Sequence, residues 1–358
     1  MHDGAGIAPV AVSRLSLALQ DGLFDLSGVA AGQAGCVVRG AVAGQDLSAL
    51  LGVDPLVVSP LKTDHEQLSA KAIRVALEPP GRAGLSVIFL PRAKALARHL
   101  VAEAVAMTDG PVILDGQKTD GIDSLIRDLR RLGIAGPVLA KAHGKLVVLP
   151  PSDGRALEGW HVSGAAQDAG EGFVTRPGVF SADGIDPASR MLADHLAEGQ
   201  SGGRALRLRG RVADLGAGWG YLSARLLARD AITTLDLVEV DHGALDCARL
   251  NVTDPRARFH WADATTWRPD APLDAVVMNP PFHTGRAASP DLGRAFLRGA
   301  AACLGPQGQL FMVANRHLPY EPTLSDLFRT VTEIAGDTRF KVIAAERPLR
   351  PAARARSA

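Results

Sequence analysis

Val212-Ala-Asp-Leu-Gly-Ala-Gly-Trp-Gly-Tyr221 reads as a strand, a glycine-rich turn and the start of a helix. Val212 and Leu215 are strand-like and Asp214 stands at the strand's end. Gly216, Gly218 and Gly220 make the turn, and Leu222, Leu226 and Leu227 recur beyond it at helical spacing. Glycines are needed where the backbone bends sharply and a ligand must approach where a Cβ would collide. The first turn of the helix leaves N–H groups unpaired. The pattern is DxGxGxG, not the GxGxxG of a dinucleotide fold. An acid just ahead of the glycines repels a phosphate and suits an ammonium. That favours S-adenosylmethionine, which carries an amino group and no phosphate, over a dinucleotide.

The chain then repeats strand and helix. Thr234–Val240 is a buried-strand pattern ending in Glu239, one βαβ unit after Asp214 and placed to take both ribose hydroxyls of a nucleoside. A helix over Ala244–Asn251 leads to a strand from Ala257 to Asp263, where Asp263, with Ala264 beside it, can accept from an adenine amine. A fourth strand, Leu273–Met278, ends in Asn279-Pro-Pro-Phe282. Pro280 and Pro281 fix φ and force Asn279 into an extended conformation. Its amide is thus held at the edge of the sheet where open α/β folds bind ligands. An aromatic amine is a poor nucleophile because its lone pair is delocalised into the ring. Acceptors that take its protons, the Asn279 oxygen and a nearby backbone carbonyl, localise that pair. Phe282 offers a face for a planar group, worth about 1–3 kcal/mol per stacked base. His283 is a candidate for phosphate or base contact, and His317 reads as a solvent-facing loop residue. A helix carrying Leu292, Phe296, Leu297 and Leu304 precedes a strand Gln309–Ala314, and Phe340–Ile343 is a late strand.

At 358 residues the chain is long enough for two domains. The net charge of +1 means that any nucleic-acid contact must come from a local patch. No secretory or membrane-spanning segment is readable, and Cys36, Cys247 and Cys303 stand far apart without a CxxC. Together these point to a cytoplasmic protein with reduced, core-filling thiols and no metal. The first half alternates strands and helices: Leu56–Ser59, helix Asp64–Ala76, Leu85–Leu90, helix Ala93–Met107, Val112–Asp115, helix Ile122–Leu132, and Lys145–Leu149. That order argues for a parallel sheet with crossover helices. No DxGxG turn follows any of its strands, and Asp115-Gly-Gln-Lys-Thr119 is an ordinary strand-to-helix turn. From Pro150 to Gly172 the composition is polar and small, the mark of a connection. Thr175–Asp186 is turn-rich and fits a surface loop or a lid equally well. A helix follows from Pro187 to Leu196, and Arg347–Arg356 is a basic tail that suits RNA phosphates or a solvated end.

The glycine loop together with Asn279–Phe282 resembles a class I S-adenosylmethionine-dependent methyltransferase of the amino-methylating kind. Arg176-Pro-Gly-Val-Phe-Ser181, Asp183-Gly-Ile-Asp186, Asn279-Pro-Pro-Phe-His283, Val313-Ala-Asn315, Leu318-Pro-Tyr320 and Arg339-Phe-Lys-Val342 narrow the resemblance. They are similar to the bacterial small-subunit ribosomal RNA guanine-N2 methyltransferases over residues 173–347. The resemblance implies an α/β fold of two tandem Rossmann-like methyltransferase domains. The first, 1–155, would be degenerate, lacking the cofactor loop and helping to hold RNA. A linker at 156–172, a catalytic domain at 173–347 and a tail at 348–358 would follow. It further implies that Asp214, Gly216, Ala217, Gly218 and Gly220 line the methionine moiety, Glu239 the ribose, and Asp263 and Ala264 the adenine. Asn279, Pro280, Pro281 and Phe282 would hold the guanine, with Arg176, Phe180 and His283 on the substrate side. Trp219 and Ala217 depart from the small or Cys residues usual in that loop. The implied reaction is methylation of a guanine N2 in 16S ribosomal RNA by a monomer acting on the RNA or the small subunit. Large-subunit RNA, DNA adenine, protein glutamine and a non-catalytic RNA-binding role are the rivals.

Overall fold

The computed structural model describes residues 12–29, 35–161, 167–201, 204–206, 208–281, 283–284, 287–288 and 290–349. The chain divides into two compact units, one of Met1–Pro60 and Asp64–Gly164, the other of Leu61–Thr63 and Ala165–Ala358.

The first unit is built on seven strands: β1 Cys36–Arg39, β2 Leu56–Val58, β3 Arg74–Ala76, β4 Leu85–Phe89, β5 Val112–Gln117, β6 Val138–Lys141 and β7 Gly144–Leu149. Their order is β3-β2-β1-β4-β5-β7-β6, with β1 to β5 parallel and β6 and β7 antiparallel. Helix α1 spans Arg14–Gln20, α2 Lys62–Ala70, α3 Lys94–Ala106 and α4 Ile122–Arg131. The helix expected to reach Ala76 stops six residues short. Ala72 adopts φ 59°, which turns the chain, and the β-branched pair Ile73 and Val75 follows in extended backbone. Arg74–Ala76 then pairs with Leu56–Val58 instead of continuing the helix. Strand β1, central in this sheet, and the edge strand β6 were not expected from the sequence pattern.

The second unit repeats the arrangement with β8 Gly210–Leu215, β9 Ile232–Glu239, β10 Ala257–Trp261, β11 Leu273–Met278, β12 Leu304–Asn315, β13 Phe328–Gly336 and β14 Phe340–Pro348. The order is β10-β9-β8-β11-β12-β14-β13, the first five parallel and the last two antiparallel. Central strands read as nearly continuous apolar runs because helices cover both faces. Side chains alternate across the sheet. Val212 joins the core formed with α5 (Pro187–Glu198), α6 (Tyr221–Leu227) and α7 (His242–Asn251), through Leu192, Leu222 and Ala244. Ala213 and Leu215 join the opposite core with α8 (Pro290–Cys303) and α9 (Glu321–Leu327), through Leu297, Ala300 and Leu324. Strand order reverses between β8 and β11, the place where an open α/β sheet leaves a crevice at its C-terminal edge.

Residues 167–172, within the stretch that composition marks as a connection, form structure of their own. Gln167–Gly170 pairs with Phe173–Thr175 as a hairpin, and Asn251 on α7 fastens it by accepting from the Val174 N–H and donating to the Val174 carbonyl, both at 2.8 Å. The three cysteines are buried and free. Among the described residues no helix is long and apolar enough to cross a membrane, and no cluster of side chains could hold a metal ion.

Candidate active site

Asp214 is the last polar residue of β8 before the turn and is fully buried. Its Oδ2 accepts from the Ser223 hydroxyl at 2.8 Å, and its Oδ1, also buried, has no hydrogen-bond partner. Burial pushes the carboxyl up to about 7, the nearby Glu239 charge adding to this while Ser223 opposes it. Burying a carboxylate oxygen without a partner is costly, so this atom is prepared for a donor that the protein does not itself supply.

The three glycines of the turn have φ of 78°, 55° and 89° at Gly216, Gly218 and Gly220, a region that residues with a Cβ rarely adopt. The Gly216 and Ala217 N–H groups both donate to the Val238 carbonyl, at 2.9 and 3.1 Å, which ties the turn to the end of β9. Glu239, the last residue of β9, closes the turn from below. Its Oε2 accepts from the Gly218 N–H at 2.8 Å and its Oε1 from the Asp241 N–H at 2.9 Å. Burial raises the Glu239 carboxyl and those backbone donors pull it back. Each carboxylate oxygen keeps a second lone pair for a hydroxyl.

Trp219, the unusual residue of the loop, is buried against Phe173 and Tyr221, with ring centroids 5.6 and 5.8 Å away. Its indole N–H donates to the Phe180 carbonyl at 3.1 Å, joining the glycine turn to the Thr175–Asp186 loop. That loop is internally bonded, Thr175 Oγ1 to the Ala182 carbonyl and Ser181 Oγ to the Gly184 carbonyl. The Phe180 ring itself is 65% exposed beside the cavity.

Asn279 follows β11 directly. Its amide nitrogen donates to Asp186 Oδ2 at 2.9 Å and to Ser189 Oγ at 2.8 Å. Asp186 is the N-cap of α5 and Pro187 opens the helix. Asn279, Gly216, Ala217, Gly218, Phe180 and Asp186 line one common cavity with Ser181, Ser189, Trp219, Tyr221 and Leu222. The two segments that carry the sequence reading therefore open into the same space.

Other expected residues stand further off. Asp263 builds its own turn, its Oδ1 accepting from the Thr265 N–H and hydroxyl at 2.8 and 2.7 Å, and Ala264 is buried beside it. Arg176 lies 3.7 Å from Asp246 on α7 and does not line the cavity. Pro280 is buried and Pro281 exposed, while His317 is exposed as expected. Phe282 lies outside the described residues. His283 begins a two-residue strand paired with Ala287–Ala288. Ser189 and Ser223 are neighbours that sequence reasoning missed, and Asp186, quoted there within the Asp183–Asp186 motif, was given no role of its own. The Asp186 signal, an Asp before a proline, reads as a helix cap, and nothing local links it to Asn279.

Residues 171–344 match the methyltransferase small domain family. The chain is 29% identical over 269 residues to the ribosomal RNA small subunit methyltransferase C of Shewanella loihica, covering 72% of this chain and 75% of that protein. It is 29% identical over 320 residues to the ribosomal RNA large subunit methyltransferase G of Streptomyces coelicolor, covering 80% and 82%. Among solved structures, a 16S rRNA N2 guanine methyltransferase of T. thermophilus, in complex with AdoMet and guanosine, matches with a TM-score of 0.72 at 26% identity. The match covers 87% of this chain and 88% of that one.

Proposed function

We propose that this chain, a class I S-adenosylmethionine-dependent methyltransferase resembling the bacterial small-subunit guanine-N2 enzymes, methylates the exocyclic N2 of a guanine in 16S ribosomal RNA. One observation carries the reading: both hydrogens of the Asn279 amide are taken by Asp186 and Ser189, which leaves Asn279 Oδ1 as the acceptor for an incoming amine.

Bound S-adenosylmethionine supplies an electrophilic methyl group. The residues present fit that donor, since the buried Asp214 Oδ1 lacks the partner that an ammonium would be. Asp214 and the turn Gly216, Ala217, Gly218 and Gly220 take the methionine end, Glu239 the ribose, and Asp263 with Ala264 the adenine. Asn279 Oδ1 accepts from the guanine amine and draws its lone pair out of the ring. No strong base is required, because the amine becomes acidic on methylation and yields its proton to water. Pro280 and Pro281 hold the acceptor in place, so catalysis rests on positioning. Phe180 borders the proposed pocket, Arg176, Phe282 and His283 are assigned to contacts with the RNA, and the target base is turned out of its stack to reach the site.

We propose further that the first unit, 1–155, is a duplicated methyltransferase fold without a donor site that serves to hold RNA, joined through 156–172 to the catalytic 173–347 of a monomer. Strand registers support the first part. Gly40, with φ 72°, follows β1 as Gly216, with φ 78°, follows β8. Matching these, the pairs Val38↔Val87 and Arg39↔Val58 correspond to Asp214↔Val277 and Leu215↔Val238. Val38 then stands where Asp214 does, Ser59 where Glu239 does and Phe89 where Asn279 does. The donor's carboxylates and the amine's acceptor are all missing.

The Streptomyces coelicolor large-subunit enzyme, as identical as the small-subunit relatives at 29% over 320 residues, supports a second reading, guanine methylation in 23S RNA. Labelled methyl transfer to separated 16S RNA, 23S RNA, small and large subunits, DNA and protein decides. Label in 16S RNA or the small subunit is expected, and label only in 23S RNA or the large subunit moves the substrate. In the same assay Asn279→Ala should lower turnover by about 10²–10³, the scale of one lost polar catalytic group, with donor binding intact. Unchanged turnover removes Asn279 from the mechanism.

A further inference from the structure

We propose that Asp186 is a positioning residue that, together with Ser189, dictates which end of the Asn279 amide faces the substrate. The inference rests on the reading that Asn279 receives the target amine. The two ends of an asparagine amide are nearly the same size, so packing alone does not choose between them. An ionised carboxylate does choose, because it only accepts. With the amide as it stands, Asn279 Nδ2 gives one hydrogen to Asp186 Oδ2 at 2.9 Å and the other to Ser189 Oγ at 2.8 Å. Turned over, the Asn279 oxygen would sit against the Asp186 carboxylate, two acceptors at hydrogen-bond distance with no proton between them. The nitrogen would then point outward, where it would meet the hydrogens of an amine.

Asp186 is itself held. The same Oδ2 accepts from the Ser189 N–H at 2.8 Å, capping α5, and that helix is anchored in the core through Leu192, Ala193 and Leu196. The carboxylate therefore links the first turn of α5 to the strand end that carries Asn279, 93 residues later in the chain. Its consequence is selectivity. With Oδ1 as the outward end, Asn279 accepts from N–H donors and offers no hydrogen to a carbonyl oxygen such as O6 of guanine.

Three variants test this. Asp186→Ser keeps an N-cap of comparable strength but withdraws the carboxylate from Asn279. Its kcat should fall about 10- to 100-fold, the cost of a misplaced catalytic group, with the KM for S-adenosylmethionine unchanged. Asn279→Asp sets two carboxylates side by side and should lose as much turnover as Asn279→Ala. Adding Asp186→Asn to Asn279→Asp reverses the polarity of the pair. The amide introduced at 186, turned so that its oxygen keeps the Ser189 N–H cap, donates from its nitrogen to the carboxylate introduced at 279, whose other oxygen accepts the amine. Turnover should then recover at least about tenfold over Asn279→Asp, a rescue that a merely structural cap does not predict. Melting curves and calorimetric donor binding on each variant confirm the fold. Wild-type kcat in Asp186→Ser, or no recovery in the double variant while it still binds donor, overturns the proposal. Full turnover in Asn279→Ala would instead overturn the reading on which it rests.

Discussion

At the scale of single residues, Asp214 carries the most informative chemistry. A carboxyl held at about 7 by burial is partly protonated in the ligand-free protein near neutral pH. Its folded value lies above the 3.8 of an ordinary aspartate, so its contribution to stability is fully present below 3.8. It is lost as pH rises through about 7. Donor binding has the opposite dependence, because an ammonium pairs with the ionised form. Calorimetry on either side of about pH 7 should show donor affinity rising with pH and a proton released below it. Asp214→Asn should weaken binding by about 1.5–3 kcal/mol, the range for a hydrogen bond to a charged group, and flatten the pH dependence. An unaltered slope in that variant would place the titrating group elsewhere. The strand-end placement of Asp214, Glu239 and Asn279 was legible from the sequence because the strands come in a recognisable order. The role of Asp186 was not, since its contact with Asn279 spans 93 positions and leaves no periodic trace.

At the scale of elements, the glycine turn separates two demands that sequence reading joins. A Cβ on Gly220 would lie 3.0 Å from Val252 Cγ2 and 3.2 Å from the Ala248 Cα, so this glycine lets α7 approach the turn. A Cβ on Gly218 would meet nothing within 4 Å, and that residue lines the cavity. Gly220→Val should therefore destabilise the fold by about 1–3 kcal/mol through overpacking, seen as a lowered melting temperature. Gly218→Ala, held at φ 55°, should cost only the left-handed backbone strain of about 1–2 kcal/mol, with no packing clash, and should lose donor affinity. If the two variants change places, the division is wrong. Long apolar elements such as Leu85–Phe89, Lys94–Ala106 and Leu273–Met278 were readable in advance. Four-residue β1 and three-residue β3 were not, because so short a run carries too few positions to show a period, and pairing with β2 overrode the helical reading of Arg74–Ala76. Phe328–Gly336 escaped notice for another reason: it is an edge strand with mixed burial, and its alternation is weak.

At the scale of the whole molecule, two seven-stranded sheets of the same strand order occur in one chain, and the strand-end residues of the proposed site, Asp214, Glu239 and Asn279, belong to the second. On the proposed duplication, what packing demands would be kept, and apolar strand cores are present in both units. Site residues are under no such demand. Val38, Ser59 and Phe89 occupy the register positions of Asp214, Glu239 and Asn279, and each replacement removes a charge or an acceptor that a buried ligand would need. An ammonium placed beside Val38 would lose its hydration without gaining a partner, a cost of several kcal/mol that the remaining contacts of a small ligand do not offset. The chain should thus bind one S-adenosylmethionine, not two. Titration calorimetry on the full chain should give a stoichiometry of one, and Asp214→Asn should weaken that single site without exposing another. A second binding step that persists in Asp214→Asn would mean that the first unit holds donor by groups other than those at its strand ends.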